Sequence, residues 1–307
     1  MDAPPAATDA PAKKRKTKDA PRRERDLTRL YALEGTVSCA LNGCVVCAYR
    51  LCQHGAPDRP LPPAERPERC LRVVSGRPGG DCARLFSGLR VLTVGDGDCS
   101  FSAAIAERGR PAKLVATTLA PDAAAFRDLY PGLDVASLVE RVEAGRHCRV
   151  RYGVDARTLD GFEAASFDRI VFNFPCAPVA GGADGNSERS GVADDAALAE
   201  NRDLVRRFVA AAAPLLAPGG ELHVAHKTRP PFAWWGFPGL AAAPSLAYRG
   251  ALVFDRAAFP PYANRKARDR KSFAATDAVV YVYGRPGGDP SRATPPDGDD
   301  AARATLP

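Results

Sequence analysis

The chain of 307 residues is predicted to fold as an α/β protein around a doubly wound, mostly parallel sheet of about seven strands. Two observations predict this fold. Short apolar runs alternate with helical patterns from residue 86 to residue 285, as strands and helices do in such sheets. The first run, Val91 to Val94, ends in a turn that contains Gly95 and Gly97, and a helical segment follows at once.

The first four predicted strands are rich in Val, Leu or Ile, as parallel strands buried on both faces should be. The seven strands cover residues 90–94, 113–118, 148–153, 168–174, 221–226, 247–254 and 278–283. Helices are predicted at residues 102–108, 121–129, 134–143 and 196–216, and Pro218 with two following glycines ends the longest. The last two strands are expected to form a hairpin, which completes the plan of class I methyltransferases.

The segments outside this domain have a different composition. Residues 1–25 are a basic Ala/Pro-rich tail and residues 286–307 a Gly/Pro/Asp-rich tail, and both are predicted to be disordered. Lys13 to Lys16 resembles a nuclear-import signal. The alternative is a solvated basic tail that has no role in targeting. Residues 26–85 are a cysteine-containing extension that the sequence assigns to no fold.

The cysteines of this extension raise the question of a metal site. Cys44 and Cys47 have the spacing of a zinc-ligand pair, with Cys39, Cys52 and His54 nearby. A second Cys or His pair does not follow, and the neighbourhood is apolar. Buried thiols are therefore favoured over zinc, and no metal is assigned.

Composition limits the compartment and the partners. The nine cysteines and the absence of an apolar signal segment favour reduced thiols in the nucleus or cytosol. Because no run of eighteen apolar residues occurs, a membrane span is not expected. The net charge of +7 favours an anionic partner such as nucleic acid.

The glycine turn is typical of nucleotide-binding sheets, because glycine lets the backbone turn sharply and approach a ligand. A dehydrogenase would have a third glycine where Ser100 stands, and an acidic residue at the end of the second strand. That end reads Thr117 to Ala120, and the nearest acid is Asp122. A nicotinamide or flavin enzyme is thus disfavoured but stays open.

The fourth predicted strand ends in Asn173-Phe174-Pro175, which resembles the Asn/Asp-Pro-Pro-aromatic motif of nitrogen-directed methyltransferases. In such a motif an amide or carboxylate oxygen holds the proton of the target nitrogen. The aromatic ring stacks on the base, and proline fixes the local backbone. The alternative, given equal weight, is a strand that merely ends in a turn residue.

Five segments, in this order and spacing, closely resemble the eukaryotic 25S ribosomal RNA (uridine-N3)-methyltransferase-like family across residues 86–285. They are residues 94–102, 153–156, 167–175, 219–227 and 262–266. The resemblance implies a Rossmann-like enzyme that transfers a methyl group from S-adenosylmethionine to uridine N3 in large-subunit ribosomal RNA. It also implies ribosomal RNA or a pre-ribosome as partner and a nuclear, nucleolar location, with the cytoplasm as second choice.

The resemblance also implies roles for individual residues. Cofactor binding falls to Gly95, Asp96, Gly97, Asp98, Ser100 and Asp155. Of these, Asp98 would border the methionine moiety and Asp155 would approach the adenine. The sequence departs from the family at Cys99, at Cys176 and at Ala120, where the family has Phe, His and an acid. Because Ala120 replaces the acid, no residue can be assigned to bind the ribose hydroxyls.

The predicted catalytic residues are Asn173, Phe174, Pro175 and His226. Asn173 would accept the N3 proton in a hydrogen bond, and His226 or His223 would act as base. These histidines, three apart on one strand, should face opposite sides, with His226 nearer the ligand edge.

Other segments are predicted to contact RNA. A basic cluster comprises Arg265, Lys266, Arg268, Arg270 and Lys271, and Lys227 is a further predicted RNA-binding residue. Phosphate contact is favoured over a solvated loop. Phe174, Trp234, Trp235 and Tyr262 are candidates to stack on a base, with core or lid packing as the alternative for the tryptophans. Residues 176–195 are expected to form a mobile flap beside the site.

Two other functions stay open at this point. A methyltransferase acting on a small molecule or a protein would not need the basic cluster. A non-catalytic module that binds RNA or protein would explain the missing acid of the second strand, but not the glycine turn.

Overall fold

The computed structural model describes residues 55–56, 59–60, 73–74, 85–177, 195–227, 232–237, 245–254, 256, 259–265, 267, 272–273, 275 and 278–287. The tail over residues 1–25, the cysteines from Cys39 to Cys52 and most of the predicted flap lie outside them. So do Lys266, Arg268, Arg270 and Lys271.

The strands form one large sheet and one short ribbon. The strands are β1 (Gly55–Ala56), β2 (Arg59–Pro60), β3 (Val73–Val74), β4 (Arg90–Val94), β5 (Lys113–Thr117), β6 (Cys148–Arg151), β7 (Phe167–Asn173), β8 (Leu216–Lys227), β9 (Ala247–Val253) and β10 (Ala278–Gly284). β1 and β2 pair with each other, and the other eight have the order β3-β9-β10-β8-β7-β4-β5-β6.

All seven predicted strands are confirmed. β6, β5, β4, β7 and β8 run parallel, and β10 lies antiparallel between β8 and β9. The predicted hairpin is thus present, with its second strand inserted next to β8. β3 was not predicted; its two residues pair parallel with β9 from within the 26–85 extension.

The helices also follow the prediction. They are α1 (Ser100–Ala104), which continues as a π turn (Ile105–Gly109), α2 (Ala123–Asp128), α3 (Val135–Glu143) and α4 (Asp195–Ala212), followed by two 3₁₀ turns (Ala213–Leu215 and Phe232–Trp235). The α-helical part of the longest helix ends at Ala212 rather than Leu216, since Pro214 disrupts helical hydrogen bonding. None of the described helices is long and apolar enough to cross a membrane.

β8 starts earlier than predicted and contains an irregularity. Its register with β7 shifts between Phe167, which faces Leu216, and Arg169, which faces Glu221. A Cβ at Gly220 would lie 2.9 Å from the Ala217 carbonyl oxygen and 3.1 Å from that of Asp168. Glycine at this position therefore permits the close backbone approach that sets the register.

Two apolar layers cover the two faces of the sheet. On one face Phe208 of α4 packs edge-on against Phe172 of β7, with ring centroids 4.9 Å apart. On the other face α1, α2 and α3 pack, with Phe101 and Phe126 among the buried side chains. This doubly wound arrangement leaves the carboxyl edge of the parallel strands for ligands.

A buried polar network lies toward the opposite, amino-terminal part of β7 and β8. Arg169 Nη2 lies 2.8 Å from Glu221 Oε2, and His223 Nε2 lies 3.1 Å from the same oxygen. The Arg169 guanidinium also donates to the Leu85 carbonyl oxygen. Burial, with a contribution from Arg169, lowers the pKa of His223 to about 4, so this ring is neutral.

Candidate active site

The predicted site residues meet at the carboxyl edge of the sheet. The glycine turn follows β4, and Asn173 ends the neighbouring β7. Asn173 pairs in register with Ala225 of β8, which places His226 and Lys227 at the same edge. Their proximity follows from parallel pairing, since parallel strands end on one side of a sheet.

The glycine turn needs glycine for packing as well as for ligand approach. Gly95 has φ +56°, and a Cβ there would lie 2.9 Å from the Phe172 ring. A Cβ at Gly97 would lie 2.8 Å from the Tyr130 hydroxyl oxygen. A side chain at Gly97 would therefore meet Tyr130 inside the protein itself.

Asp96 is held inside the turn. Its Oδ2 accepts a hydrogen bond of 2.7 Å from the backbone N–H of Ser102, near the start of α1. Burial raises the pKa of this carboxyl to about 7, although the hydrogen bonds from Ser102 oppose the shift. Asp96 therefore holds the turn against α1.

Asp98 has one engaged and one unengaged oxygen. Its Oδ1 accepts hydrogen bonds from the backbone N–H and the hydroxyl of Ser100. Its Oδ2 is buried and has no hydrogen-bond partner in the described parts of the chain. The guanidinium of Arg265 lies close by, with its Nε 3.9 Å from Oδ2. Burial raises the pKa of Asp98, and Arg265 lowers it in part.

This geometry places Arg265 at the glycine turn, whereas the sequence placed it in the basic cluster for RNA. The backbone N–H of Ala263 donates to Ser100 Oγ at 3.2 Å, so the segment 262–265 lies against the turn. Tyr262 belongs to the same contact, with its ring centroid 5.4 Å from that of Phe101. Tyr262 thus packs against α1.

The end of β5 has no acid at the position where the resemblance implies one. Asp122, the nearest, caps α2 through hydrogen bonds from Ala124 and Ala125 to its Oδ1. The exposed side chain at this end is Leu119, which is 55% exposed. The edge thus offers an apolar surface at this position.

Asp155 lies beyond the end of β6, at the same edge. Its Oδ1 accepts the backbone N–H of Arg157 at 2.8 Å and lies 3.8 Å from Nη1 of that residue. The side chain is 42% exposed, so its carboxylate is accessible to a ligand.

Asn173 presents an unengaged acceptor. Its Oδ1 is buried and lacks a hydrogen-bond partner among the residues that the structure describes. Phe174 follows with φ +52°, a conformation that is costly for a side chain of this size, and its N–H donates to the Ala225 carbonyl oxygen at 2.8 Å. Strain of this kind is found at functional sites. The Phe174 ring packs edge-on against Phe254 and Phe273.

His226 has its Nδ1 engaged with the backbone, and its role as base stays a prediction. Its Nδ1 accepts the backbone N–H of Lys227 at 2.7 Å. Burial, and then Lys227, lower its pKa well below the ordinary range. The ring is therefore neutral and carries its proton on Nε2, which is buried without a hydrogen-bond partner in the described chain.

The remaining predicted residues are largely enclosed by aromatic rings. Lys227 Nζ lies 4.6 Å from the centroid of Phe232 and 5.1 Å from that of Phe273, in cation–π geometry. Trp235 is 1% exposed and lies against His226, with centroids 4.2 Å apart, so it packs in the core. The side chain of Trp234 lies outside the described residues.

Tyr130 and the turn-facing position of Arg265 were missed from the sequence. Neither lies near the glycine turn along the chain, so no local pattern could reveal them. His223 and His226 do face opposite sides of β8, as strand alternation predicts. His223 binds Glu221, whereas His226 contacts Trp235 and Phe237.

Gly97→Ala is expected to destabilise the fold by about 1–3 kcal/mol, because its Cβ would overlap the Tyr130 hydroxyl. In a Tyr130→Phe background the same substitution should cost much less, since the obstructing oxygen is gone. Urea denaturation of the four proteins of this double-mutant cycle measures the coupling. Equal losses in both backgrounds would show that another group obstructs the position.

The strand order and the glycine turn after the central strand define a Rossmann-like, class I methyltransferase fold. A family model described as BMT5-like, rRNA (uridine-N3-)-methyltransferase BTM5-like, matches residues 92–266. This match covers more than half of the chain, and the chain belongs to this family.

Three curated proteins are similar to the chain. Heavy metal-associated isoprenylated plant protein 41 of Arabidopsis thaliana is 30% identical over 59% of this chain and 34% of its own length. Ferredoxin-fold anticodon-binding domain-containing protein 1 of Homo sapiens is 31% identical over 64% of this chain and 31% of its own. The matched part of the chain thus corresponds to about a third of the length of each of these two relatives. An uncharacterized Arabidopsis thaliana protein is 28% identical over 63% of this chain and 91% of its own length.

Two solved structures are also similar. TrmN from Thermus thermophilus aligns with a TM-score of 0.39 and 21% identity, over 66% of this chain and 46% of that chain. A methyltransferase from Pyrococcus furiosus aligns with a TM-score of 0.40 and 15% identity, over 66% and 77% of the two chains.

Proposed function

We propose that the chain is an S-adenosylmethionine-dependent RNA methyltransferase that methylates N3 of a uridine in large-subunit ribosomal RNA. Family membership supports the reaction and the substrate class. The observation that carries the proposal for this chain is the unengaged Oδ1 of Asn173, at the end of β7 and beside the turn that follows β4. A nuclear, nucleolar location belongs to the same proposal.

The residues at the glycine turn fit the methyl donor. Asp98 Oδ2 is a buried acceptor that has no hydrogen bond within the described part of the chain, and the donor carries an ammonium group that could satisfy it. Asp155 is exposed at the end of β6, where it could accept hydrogen bonds from the adenine end. Leu119 offers apolar contact but no ligand for the ribose hydroxyls, so ribose binding is the weakest part of the fit.

When bound, S-adenosylmethionine supplies an electrophilic methyl group on a sulfonium. The chain has to hold N3 of uridine in line with it and exclude water. Asn173 Oδ1 accepts the N3–H of the arriving base in a hydrogen bond. An amide oxygen is too weak a base to keep that proton. The proton therefore passes to solvent while the site is still open, which frees the N3 lone pair before water is excluded.

His226 can assist this step as a donor. As N3 loses its proton, negative charge spreads onto the neighbouring carbonyl oxygens of the base. The Nε2–H of His226 is uncharged and without an acceptor in the described chain, so it is suited to stabilise such an oxygen. Rings around the edge, Phe174 among them, provide the apolar surroundings that strengthen this hydrogen bond.

The target base has to be unpaired, because N3 lies on the Watson–Crick edge. A uridine in a duplex would first have to be flipped out of the stack. We propose that Lys266, Arg268, Arg270 and Lys271 bind RNA phosphates, while Arg265 faces the turn. Lys227 lies between two rings, so its ammonium is held at the site edge.

A non-catalytic binding module is the second candidate, and one observation favours it. The acid that closes the second strand in the family is absent, and Asp122 is engaged in capping α2. Calorimetric titration with S-adenosylmethionine discriminates between the two candidates. Saturable binding supports the enzyme, and no binding supports the module.

The experiment that tests the reaction is methyl transfer from labelled S-adenosylmethionine to large-subunit ribosomal RNA lacking its modifications. Digestion to nucleosides and mass spectrometry should identify N3-methyluridine as the product. Another methylated nucleoside would overturn the uridine assignment alone. If donor binding is saturable but transfer occurs only to protein or small molecules, the RNA assignment is wrong.

The basic cluster is tested by the salt dependence of RNA binding. Replacing Lys266, Arg268, Arg270 and Lys271 with Gln should weaken single-stranded RNA binding. It should also reduce the slope of log K against log salt by up to about 3, since fewer counterions are released. Fluorescence anisotropy between low and moderate salt measures the slope. An unchanged slope would mean that the cluster is a solvated loop.

A further inference from the structure

Asp98 is an incompletely satisfied carboxylate in a buried place. Its side chain is 4% exposed, and among the described residues only its Oδ1 is hydrogen-bonded, through Ser100. A buried carboxylate oxygen without a donor costs stability, so such oxygens are normally hydrogen-bonded. The geometry of the turn thus leaves one acceptor position in need of a donor.

Arg265 is held beside this oxygen by its neighbours in the chain. Asn264 is buried, and its Oδ1 accepts a hydrogen bond of 2.8 Å from Arg256 Nη1. Its backbone oxygen accepts the N–H of Phe273 at 3.0 Å. Ala263 in turn donates to Ser100 Oγ. These contacts fix the segment against the turn and direct Arg265 to the position next to Asp98.

The spacing of the two charges differs from that of a closed ion pair. The Nε to Oδ2 distance is 3.9 Å, beyond hydrogen-bond range, and the Arg265 side chain is 39% exposed. If the ion pair served only to hold residues 262–265 against the turn, an Arg265 N–H would be expected to hydrogen-bond to Asp98 Oδ2. Here the Asp98 carboxylate and the Arg265 guanidinium lie side by side without a hydrogen bond between Nε and Oδ2.

We propose that Asp98 and Arg265 together bind an α-amino acid zwitterion, in which Asp98 receives the ammonium and Arg265 the carboxylate. An α-amino acid carries both charges on one carbon, so a neighbouring acid and base are complementary to it. The identification of this zwitterion as the methionine end of S-adenosylmethionine rests on the proposed function. The inference takes Arg265 out of the RNA-binding cluster and makes it a donor-binding residue.

The test compares two ligands that differ only at this end. S-adenosylhomocysteine carries the amino acid group, and 5′-methylthioadenosine has the same adenosine and thioether without it. Arg265→Gln and Asp98→Asn should each weaken S-adenosylhomocysteine binding by about tenfold or more, since each removes a charged hydrogen-bond partner. Binding of 5′-methylthioadenosine should change by less than about twofold. Isothermal titration calorimetry on the full chain measures both affinities.

Arg141→Gln is the matched control, because Arg141 also pairs with a carboxylate, that of Glu107, on the surface of α3. It should leave both affinities unchanged. Asp98→Asn could disturb the turn, so circular dichroism and melting temperature accompany each variant. Arg265→Gln, at a partly exposed position, keeps the test valid if Asp98→Asn does not fold.

The outcomes separate this inference from the proposed function. Selective loss of S-adenosylhomocysteine affinity supports the zwitterion site. Equal weakening of both ligands would overturn it and make the pair a structural tie, and so would unchanged affinity for S-adenosylhomocysteine. A folded wild-type chain that binds neither ligand would overturn the proposed function, and the methionine assignment with it.

Discussion

Asn173→Ala should lower the rate of methyl transfer to RNA about a hundredfold while leaving the affinity for S-adenosylmethionine nearly unchanged. The Oδ1 of Asn173 accepts no hydrogen bond from the residues that the structure describes, so it is available to the acceptor base. A contact that aligns the reacting atoms acts mainly in the transition state, and losing one commonly costs about 3 kcal/mol. Single-turnover kinetics with saturating RNA and calorimetry with the donor separate the two effects.

Asn173→Asp is the companion variant. It keeps an oxygen acceptor at the same place and should retain more activity than Asn173→Ala, provided that the carboxylate is tolerated beside the ring of Phe174. The assignment is contradicted if folded Asn173→Ala protein turns over at a near-normal rate. It is also contradicted if the loss is entirely in donor affinity, since that would place Asn173 in the cofactor site.

Glu221→Ala should lower the free energy of unfolding by about 3–5 kcal/mol. The substitution leaves the Arg169 guanidinium, which is 1% exposed, without its carboxylate partner, and an uncompensated buried charge is strongly destabilising. It also removes the Glu221 oxygen that contacts His223 Nε2. Chemical denaturation followed by circular dichroism measures the loss.

Two further variants make the cause specific. Glu107→Ala removes the partner of the half-exposed Arg141 and should cost less than about 1 kcal/mol. The double variant Glu221→Leu with Arg169→Met removes both charges and should recover much of the loss, because apolar side chains can replace a buried ion pair. No recovery would mean that the loss comes from packing rather than from the buried charge.

The architecture could be predicted from the sequence because strands buried on both faces of a sheet have a simple sequence pattern. Each strand of the parallel sheet is an apolar run, and each ends at a turn or helix signal. The sites at Gly95 and Asn173 were predictable for the same reason: parallel strands deliver the residues after their carboxyl ends to one edge. Element ends were less predictable, since the bulge at the start of β8 depends on backbone contacts between Gly220 and its neighbours.

Local sequence patterns were enough to predict the α/β plan, the glycine turn, the position of Asn173 and the family resemblance, because each depends on residues close together along the chain. Three features depend on the packing of distant segments: Arg265 lies beside Asp98, Tyr130 obstructs a side chain at Gly97, and burial keeps His226 neutral with its Nδ1 bound to the backbone. The contact that holds Arg265 in place joins residues 163 positions apart. Local patterns report which face of an element is apolar, whereas the charge and hydrogen bonding of a side chain depend on every element packed around it.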